Sequence, residues 1–170
     1  MSSFASSPRI LLLHGWCSQG SAKELALKSW GYQVRKPALD NWSLRRATAT
    51  AQRELDEFQP DVIVGSSRGG AVAMNLKCGE TPRILLAPAY RVFGAADSCH
   101  SRDVIVHGVH DNLISVDDSR KLAERSSARF VLVDSDHRQN CARGRSGLIT
   151  ALEMVGYGPL AANKYPVFAD

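Results

Sequence analysis

Apolar and polar residues follow one another along the chain in blocks that predict strands and helices in turn. Short apolar runs bounded by polar or turn residues are typical of buried strands. Six such runs are present: Arg9 to Leu13, Tyr32 to Lys36, Asp61 to Gly65, Arg83 to Ala87, Asp103 to His107 and Arg129 to Val133. Strands that alternate with helices form parallel sheets covered on both faces. The pattern therefore predicts an α/β fold with a doubly wound, six-stranded, mostly parallel sheet.

Helical periodicity fills the segments between the predicted strands. Ser21 to Glu24 fits a capping box, and the helix that it opens should end at Gly31. Apolar residues from Leu44 to Phe58 recur at three- and four-residue spacing, which predicts a helix that stops before Pro60. Further helices are predicted over Ala71 to Lys77, from Ser115 through Arg125, and around Leu148 to Val155 before Gly156.

The chain length and composition indicate one domain. A chain of 170 residues buries about two-thirds of its unfolded surface in a single core. Hydrophobic residues make up 44% and charged residues 22%, as in ordinary globular proteins. We predict a flexible N-terminus over residues 1–8, a single domain over 9–156 and a C-terminal tail, 157–170, packed on that domain.

The sequence Gly65-Ser66-Ser67-Arg68-Gly69 fits the pattern G-x-S-x-G. It follows the third predicted strand and precedes a predicted helix, and a serine at such a corner is a nucleophile elbow. A tight turn, or a phosphate cradle at a helix N-terminus, would use the same residue types. Ser66 competes with Ser67, but it occupies the variable position of the pattern. We predict Ser67 as the nucleophile.

An acid and a histidine follow later strands. Asp111 lies in the loop after the fifth predicted strand, and His137 lies in the loop after the sixth. Loops that follow parallel strands meet at one edge of the sheet, so the three side chains can converge. We predict His137 as general base and then general acid, and Asp111 as the carboxylate that orients the imidazole. No metal ligand set is needed for this chemistry.

Other side chains compete for these roles. Asp134 and Asp136 lie close to His137 in sequence. This proximity makes it geometrically difficult for either carboxylate to orient the His137 imidazole. Three other histidines could each satisfy a hydrogen bond in the core: His14, His107 and His110. His137 could itself be a surface histidine among arginines.

The tetrahedral intermediate of acyl transfer needs donors aimed at its negative oxygen. We predict the backbone N–H groups of Trp16 and Arg68 as these donors, with Gly15 letting the first loop turn close to the site. Trp42 could line the acyl pocket or only cover the core. The substrate-lining candidates are His14, Gly15, Cys17, Trp42, Tyr90 and Leu113.

Together these motifs resemble the α/β-hydrolase superfamily, and within it the compact, lidless bacterial esterases. The likeness rests on Leu13-His14-Gly15-Trp16, Gly65 to Gly70, His107 to Asp111 and Asp136-His137-Arg138. It implies hydrolysis of small esters or thioesters through an acyl-serine intermediate, without metal or organic cofactor, and a sheet order of 2-1-3-4-5-6. A noncatalytic binding module and an acyltransferase with the same triad are the alternatives.

Two departures from larger members of the superfamily affect the expected cleft. Leading antiparallel strands have no room before Arg9, and no segment long enough for a cap separates Ala87 from Asp103. We therefore expect a cleft that is open to water and to protruding substrates.

The charge of the chain indicates which classes of partner to expect. The net charge is +4 and the pI about 9.0, but the basic residues form no stripe with aromatic residues, so we expect no nucleic-acid partner. Arg138, Arg143 and Arg145 follow His137, and together with Arg68 they could attract an acidic acyl group or alcohol.

The four cysteines lie far apart and suggest neither a zinc site nor a redox pair. No signal peptide or membrane span is apparent. We therefore expect a cytoplasmic protein that acts on a small molecule.

Overall fold

The six predicted strands form one parallel sheet. The computed structural model describes residues 7–16, 22–94 and 96–159. Its strands are β1 (Arg9–Leu13), β2 (Gln33–Arg35), β3 (Val62–Ser66), β4 (Arg83–Leu86), β5 (Val104–Gly108) and β6 (Arg129–Val133). Their order is β2-β1-β3-β4-β5-β6, and every neighbouring pair is parallel. The predicted fold class and strand order are confirmed.

Helices connect successive strands and cover both faces of the sheet. They are α1 (Ala22–Ser29), α2 (Leu44–Phe58), α3 (Arg68–Met74), α4 (Tyr90–Phe93), α5 (Val116–Ser126) and α6 (Ala142–Met154). Residue Ser21 of the predicted capping box lies outside the described residues. The α2 prediction is confirmed at both ends, and Ser43 caps this helix by accepting a hydrogen bond from the Arg46 N–H at 3.2 Å.

Two helices begin earlier than predicted. Helix α3 begins at Arg68 rather than Ala71, because the low helix propensity of Gly69 and Gly70 is overridden by close packing against the sheet. Helix α6 begins at Ala142, where the first turn is rich in arginine and glycine and has no apolar periodicity to signal it. The four-residue helix α4 was not predicted as a helix.

Side chains on the central strands alternate between two hydrophobic clusters. One cluster joins Leu11, Ile63, Leu85 and Ile105 to buried residues of α2, α3 and α5. The other joins the intervening strand residues to α1 and α6, and it includes Trp30. Both faces of the strands are buried, so the loops at the carboxyl edge of the sheet are held by a rigid core.

The first turn of α3 lies directly against the end of β1. A Cβ atom added to Gly69 would lie 2.0 Å from the Leu13 carbonyl oxygen and 2.7 Å from that of His14. No side chain fits at this position, so only glycine lets the helix begin where it does.

A fully buried ion pair lies at the opposite, amino-terminal edge of the sheet. Arg83, at the start of β4, donates from Nε and Nη2 to Asp103 Oδ2 at 3.0 and 2.6 Å, and from Nη1 to the Ala73 carbonyl at 3.1 Å. Asp103 also accepts the Arg83 and His100 backbone N–H groups. Each nitrogen of the buried guanidinium therefore has a partner.

The predicted domain boundaries stay a prediction. Residues 1–6 and 160–170, most of the predicted flexible N-terminus and tail, lie outside the described residues. Where the tail begins, the Tyr157 carbonyl accepts a hydrogen bond from the Tyr32 hydroxyl. No helix in the described part of the chain is long and apolar enough to cross a membrane.

Replacing Gly69 by alanine should lower the free energy of unfolding by about 3 kcal/mol, because the added methyl group would overlap the backbone of β1. Gly79→Ala is the matched control: Gly79 has φ of +55° and open space around its Cβ position, so only backbone strain of about 1–2 kcal/mol should follow. Urea denaturation measures both. Equal losses would show that the contact between α3 and β1 is not as tight as described.

Candidate active site

Ser67 lies at the sharp corner between β3 and α3. Its φ of 54° and ψ of −118° are unusual for a residue with a side chain. The Ser67 N–H donates to the Leu86 carbonyl at 2.8 Å, and the Ser67 carbonyl accepts the Ala89 N–H at 3.0 Å. These bonds to the β4 end of the sheet hold the strained corner in place.

The structure brings the three predicted catalytic side chains into one hydrogen-bonded row. His137 Nε2 lies 3.0 Å from Ser67 Oγ, and His137 Nδ1 lies 2.6 Å from Asp111 Oδ2. An ionised carboxylate only accepts hydrogen bonds, so Nδ1 carries the proton and Nε2 is free to accept the serine hydroxyl. The hydroxyl, the imidazole and the carboxylate are therefore arranged as a proton-transfer relay requires.

Asp111 is held by its own loop. Its Oδ1 accepts the backbone N–H groups of Leu113 and Ile114 at 2.8 and 2.9 Å, and its side chain is fully buried. Burial by itself would raise the pKa of Asp111, but the Ile114 N–H, His137 and the Leu113 N–H outweigh it and keep that pKa below its ordinary value. The carboxylate is therefore ionised near neutral pH.

A second histidine touches the same carboxylate. The buried His107, in β5, places Nε2 3.1 Å from Asp111 Oδ2 and 3.1 Å from the Ile114 carbonyl, while its Nδ1 lies 2.7 Å from Ser119 Oγ. Burial lowers the pKa of His107, although the charge of Asp111 acts in the other direction. Neutral His107 therefore donates from Nε2 and accepts from the Ser119 hydroxyl. The sequence predicted only a core hydrogen bond for His107, although its four-residue spacing from Asp111 is the feature that could have indicated this contact.

The loop that carries His137 passes close to the end of β5. A Cβ atom on Gly108 would lie 2.3 Å from the Ser135 carbonyl oxygen, so glycine is needed there to let the imidazole reach Asp111. The competing acids have other partners. Asp136 Oδ1 accepts two backbone N–H groups of its own turn, at 3.1 Å each, and Asp134 pairs with His110 and Arg143.

The first loop lies beside the serine. A Cβ atom on Gly15 would lie 3.4 Å from Ser67 Cβ and 4.0 Å from Ser67 Oγ. None of the hydrogen bonds formed among residues 7–16, 22–94 and 96–159 uses the backbone N–H of Trp16 or Arg68. His14 braces this loop, with Nδ1 2.7 Å from the Gly15 carbonyl and Nε2 3.4 Å from the Leu39 N–H.

Aromatic side chains form a rim beside this loop. The Trp16 ring meets Trp42 edge-on at 6.1 Å between centroids and Phe93 at 6.3 Å. Trp16 is 53% exposed and Trp42 is 83% exposed, so both indoles present apolar surface to solvent. We call Trp16, Trp42 and Phe93 the aromatic rim.

The remaining residues that were predicted to line the cleft lie in different environments. Leu113 is exposed on the Asp111 loop, and Cys17 lies outside the described residues. Tyr90 was wrongly predicted to line the cleft: it is 3% exposed, and its hydroxyl donates to the Asp118 carbonyl and accepts from Arg125 of α5. A buried tyrosine needs such partners for its hydroxyl, which draws the ring into the core.

The arginines that follow His137 are engaged at the surface. Arg143 pairs with Asp134, and Arg145 donates to the Asn140 carbonyl at 2.7 Å. Within the described residues, no three His, Cys, Asp or Glu side chains are grouped to hold a metal ion.

Below about pH 6.5 the protein should lose stability as the pH falls. Because the pKa of His107 is lower in the folded than in the unfolded chain, the unfolded chain binds the proton first, and stability present above that pH is lost towards acid. His107→Gln, which does not titrate, should flatten the slope of unfolding free energy between about pH 7 and about pH 5.

The pKa of His100 is also lowered by burial, but this residue is exposed whereas His107 is fully buried, so His100→Gln is the matched control and should flatten the slope less. Chemical denaturation across this pH range measures both variants. A slope in His107→Gln as steep as in the wild type would contradict the assignment of His107 as a buried neutral imidazole.

Comparisons with known proteins agree on the fold. No protein-family model matches the chain, and no curated protein matches it in sequence. Its structure is similar to that of a Xanthomonas campestris pv. campestris protein assigned to the α/β superfamily of hydrolases, with a TM-score of 0.71, 22% identity and coverage of 89% of this chain and 99% of that one. Est1E from Butyrivibrio proteoclasticus has a TM-score of 0.73, 13% identity and 89% coverage of both chains.

A third similar structure lacks a lid. It is an α/β serine hydrolase without lid from Xanthomonas campestris, with a TM-score of 0.59, 12% identity and coverage of 90% of this chain and 82% of that one. In the present structure, α4 is the only helix or strand among the described residues between β4 and β5. The chain therefore has the fold of the α/β-hydrolase superfamily, in its compact form.

Proposed function

We propose that this protein is a serine hydrolase that cleaves small carboxylic esters or thioesters through an acyl-serine intermediate. One observation carries the proposal: the hydrogen-bonded row from Ser67 Oγ through His137 to the buried, ionised Asp111. The similar structures, which include Est1E and a lidless serine hydrolase, support it.

The first half of the reaction makes the acyl-enzyme. Ser67 Oγ attacks the acyl carbon while its proton passes to His137 Nε2, and the new negative oxygen accepts hydrogen bonds from the N–H groups of Trp16 and Arg68. The intermediate collapses, the bond to the leaving alcohol or thiol breaks, and His137 Nε2–H supplies its proton. Asp111 stabilises the imidazolium throughout.

Water completes the cycle. His137 Nε2 takes a proton from a water molecule, whose oxygen attacks the acyl carbon, and collapse returns the proton to Ser67 Oγ as the acid leaves. The short connection between β4 and β5 leaves the site uncapped in the described residues, so water can reach the acyl-enzyme. A noncatalytic role would leave the strained Ser67 backbone, which costs on the order of 1–3 kcal/mol, without a purpose.

Ser67→Ala should lower kcat/KM for a short chromogenic ester by a factor of about 10⁴ or more, because it removes the nucleophile. Ser66→Ala is the matched control, since it removes the neighbouring hydroxyl outside the row. A fluorophosphonate probe should label the wild type and Ser66→Ala but not Ser67→Ala. Retention of activity within about tenfold in folded Ser67→Ala would reject the nucleophile.

Asp111→Asn and His137→Ala should each lower kcat strongly, and the double variant should be hardly worse than the poorer single one. The reason is that the row works as a unit, so removing any member disables the proton transfer. Steady-state kinetics of the four proteins measures this. Strictly additive losses would show that the two side chains act independently.

A further inference from the structure

The side chain of Arg68 is a buried cation beside the proposed nucleophile. The residue is only 1% exposed. Its Nη2 donates to the Asp40 carbonyl, and its guanidinium carbon lies 5.6 Å from the centre of the Phe93 ring. Its Nη1 is buried and has no hydrogen-bond partner among the described residues.

The Asp40 carboxylate, which is near Arg68, is already bonded to other groups. Asp40 Oδ1 accepts the backbone N–H groups of Trp42 and Ser43 at 2.8 and 2.7 Å, and Oδ2 pairs with Arg46 at 2.7 Å. Arg68 therefore has a backbone carbonyl and an aromatic face as direct contacts, and the Asp40 carboxylate acts on it only through its charge. By contrast Arg83, which is equally buried, has two bonds to Asp103 and a carbonyl on its remaining nitrogen.

A buried cation without a hydrogen-bonded counter-ion is unfavourable unless something compensates it. An arginine cannot escape by losing its proton, so the charge persists. An anion placed against Nη1 would remove the deficit, and the burial of that nitrogen would strengthen the ion pair.

The aromatic rim lies over this charge. Phe93 contacts the Arg68 guanidinium on one side and the exposed Trp16 on the other. Trp16 belongs to the loop that flanks Ser67 Oγ. Phe93 thus joins the Arg68 guanidinium to the rim, and Trp16 joins the rim to the loop beside the serine.

We propose that the substrate carries a carboxylate in addition to its ester or thioester, and that this carboxylate pairs with Arg68 Nη1 while the apolar body of the substrate lies against the aromatic rim. The inference rests on the proposed function and adds the substrate class. The carboxylate can belong to the acyl part or to the leaving group, and the test separates these sources.

The test compares charged and neutral esters of the same shape. For the acyl side, the 4-nitrophenyl monoester of glutaric acid is compared with its methyl-capped diester. For the leaving group, 3-carboxy-4-nitrophenyl acetate is compared with its methyl ester. In at least one pair the wild type should prefer the charged ester by about tenfold or more in kcat/KM, as expected for one ion-paired group.

Variants of Arg68 test whether this residue causes the preference for charged esters. Arg68→Met and Arg68→Gln should bring the ratio to within about twofold of unity, whereas Arg68→Lys should keep part of it. Arg120→Met is the matched control, because it removes one exposed positive charge of α5 and should leave the ratio unchanged. Calorimetric binding of glutarate to wild type and variants gives a readout that does not depend on turnover.

The outcomes separate the two proposals. If Ser67 is labelled and neutral esters are cleaved, but neither charged ester is preferred, or the preference survives in both neutral variants, the Arg68 inference is overturned. If no ester is cleaved and Ser67 is not labelled, the proposed function fails. In that case, glutarate binding that disappears in Arg68→Gln supports the anion site, and absent binding overturns it.

Discussion

The contact between the first turn of α3 and the end of β1 is the constraint on which the rest of the site depends. Gly69 leaves no room for a side chain against the Leu13 carbonyl, and the chain turns into α3 at Ser67, whose φ is positive. This geometry lifts the Ser67 hydroxyl above the sheet and brings the loop of Gly15 and Trp16 alongside it. A helix that began one turn later would separate the Ser67 hydroxyl from both Gly15 and Trp16.

The two buried charges near the site, those of Asp111 and Arg68, differ in how fully hydrogen-bond partners compensate them. Asp111 is surrounded by donors: two backbone N–H groups, the His137 imidazole and neutral His107. The negative charge is thereby spread over fixed dipoles and is ready to balance an imidazolium. Arg68, which follows Ser67 in sequence, has a hydrogen-bond partner for only part of its guanidinium. Under the two proposals, this part of the site receives negative charge, first from the substrate carboxylate and then from the developing oxyanion.

Sequence patterns predicted the sheet and the row of Ser67, Asp111 and His137 because both depend on chain order: buried strands are apolar, and their loops share one edge. What failed depends on packing. The helix start at Arg68 is hidden by two glycines whose poor propensity is outweighed by the fit against β1. Tyr90 follows the right strand, but the partners of its hydroxyl lie on α5, which no local pattern announces. The buried state of the Arg68 side chain was equally invisible, since an arginine is read as exposed.

The three tryptophans are divided between the core and the cleft. Trp30 is buried beneath α1, while Trp16 and Trp42 are largely exposed in the rim. Indole emission depends on contact with water, so the long-wavelength part of the intrinsic fluorescence arises from the rim, whereas Trp30 supplies a constant, blue-shifted background. The protein thus carries an optical reporter of cleft occupancy that requires no label and no chemical turnover.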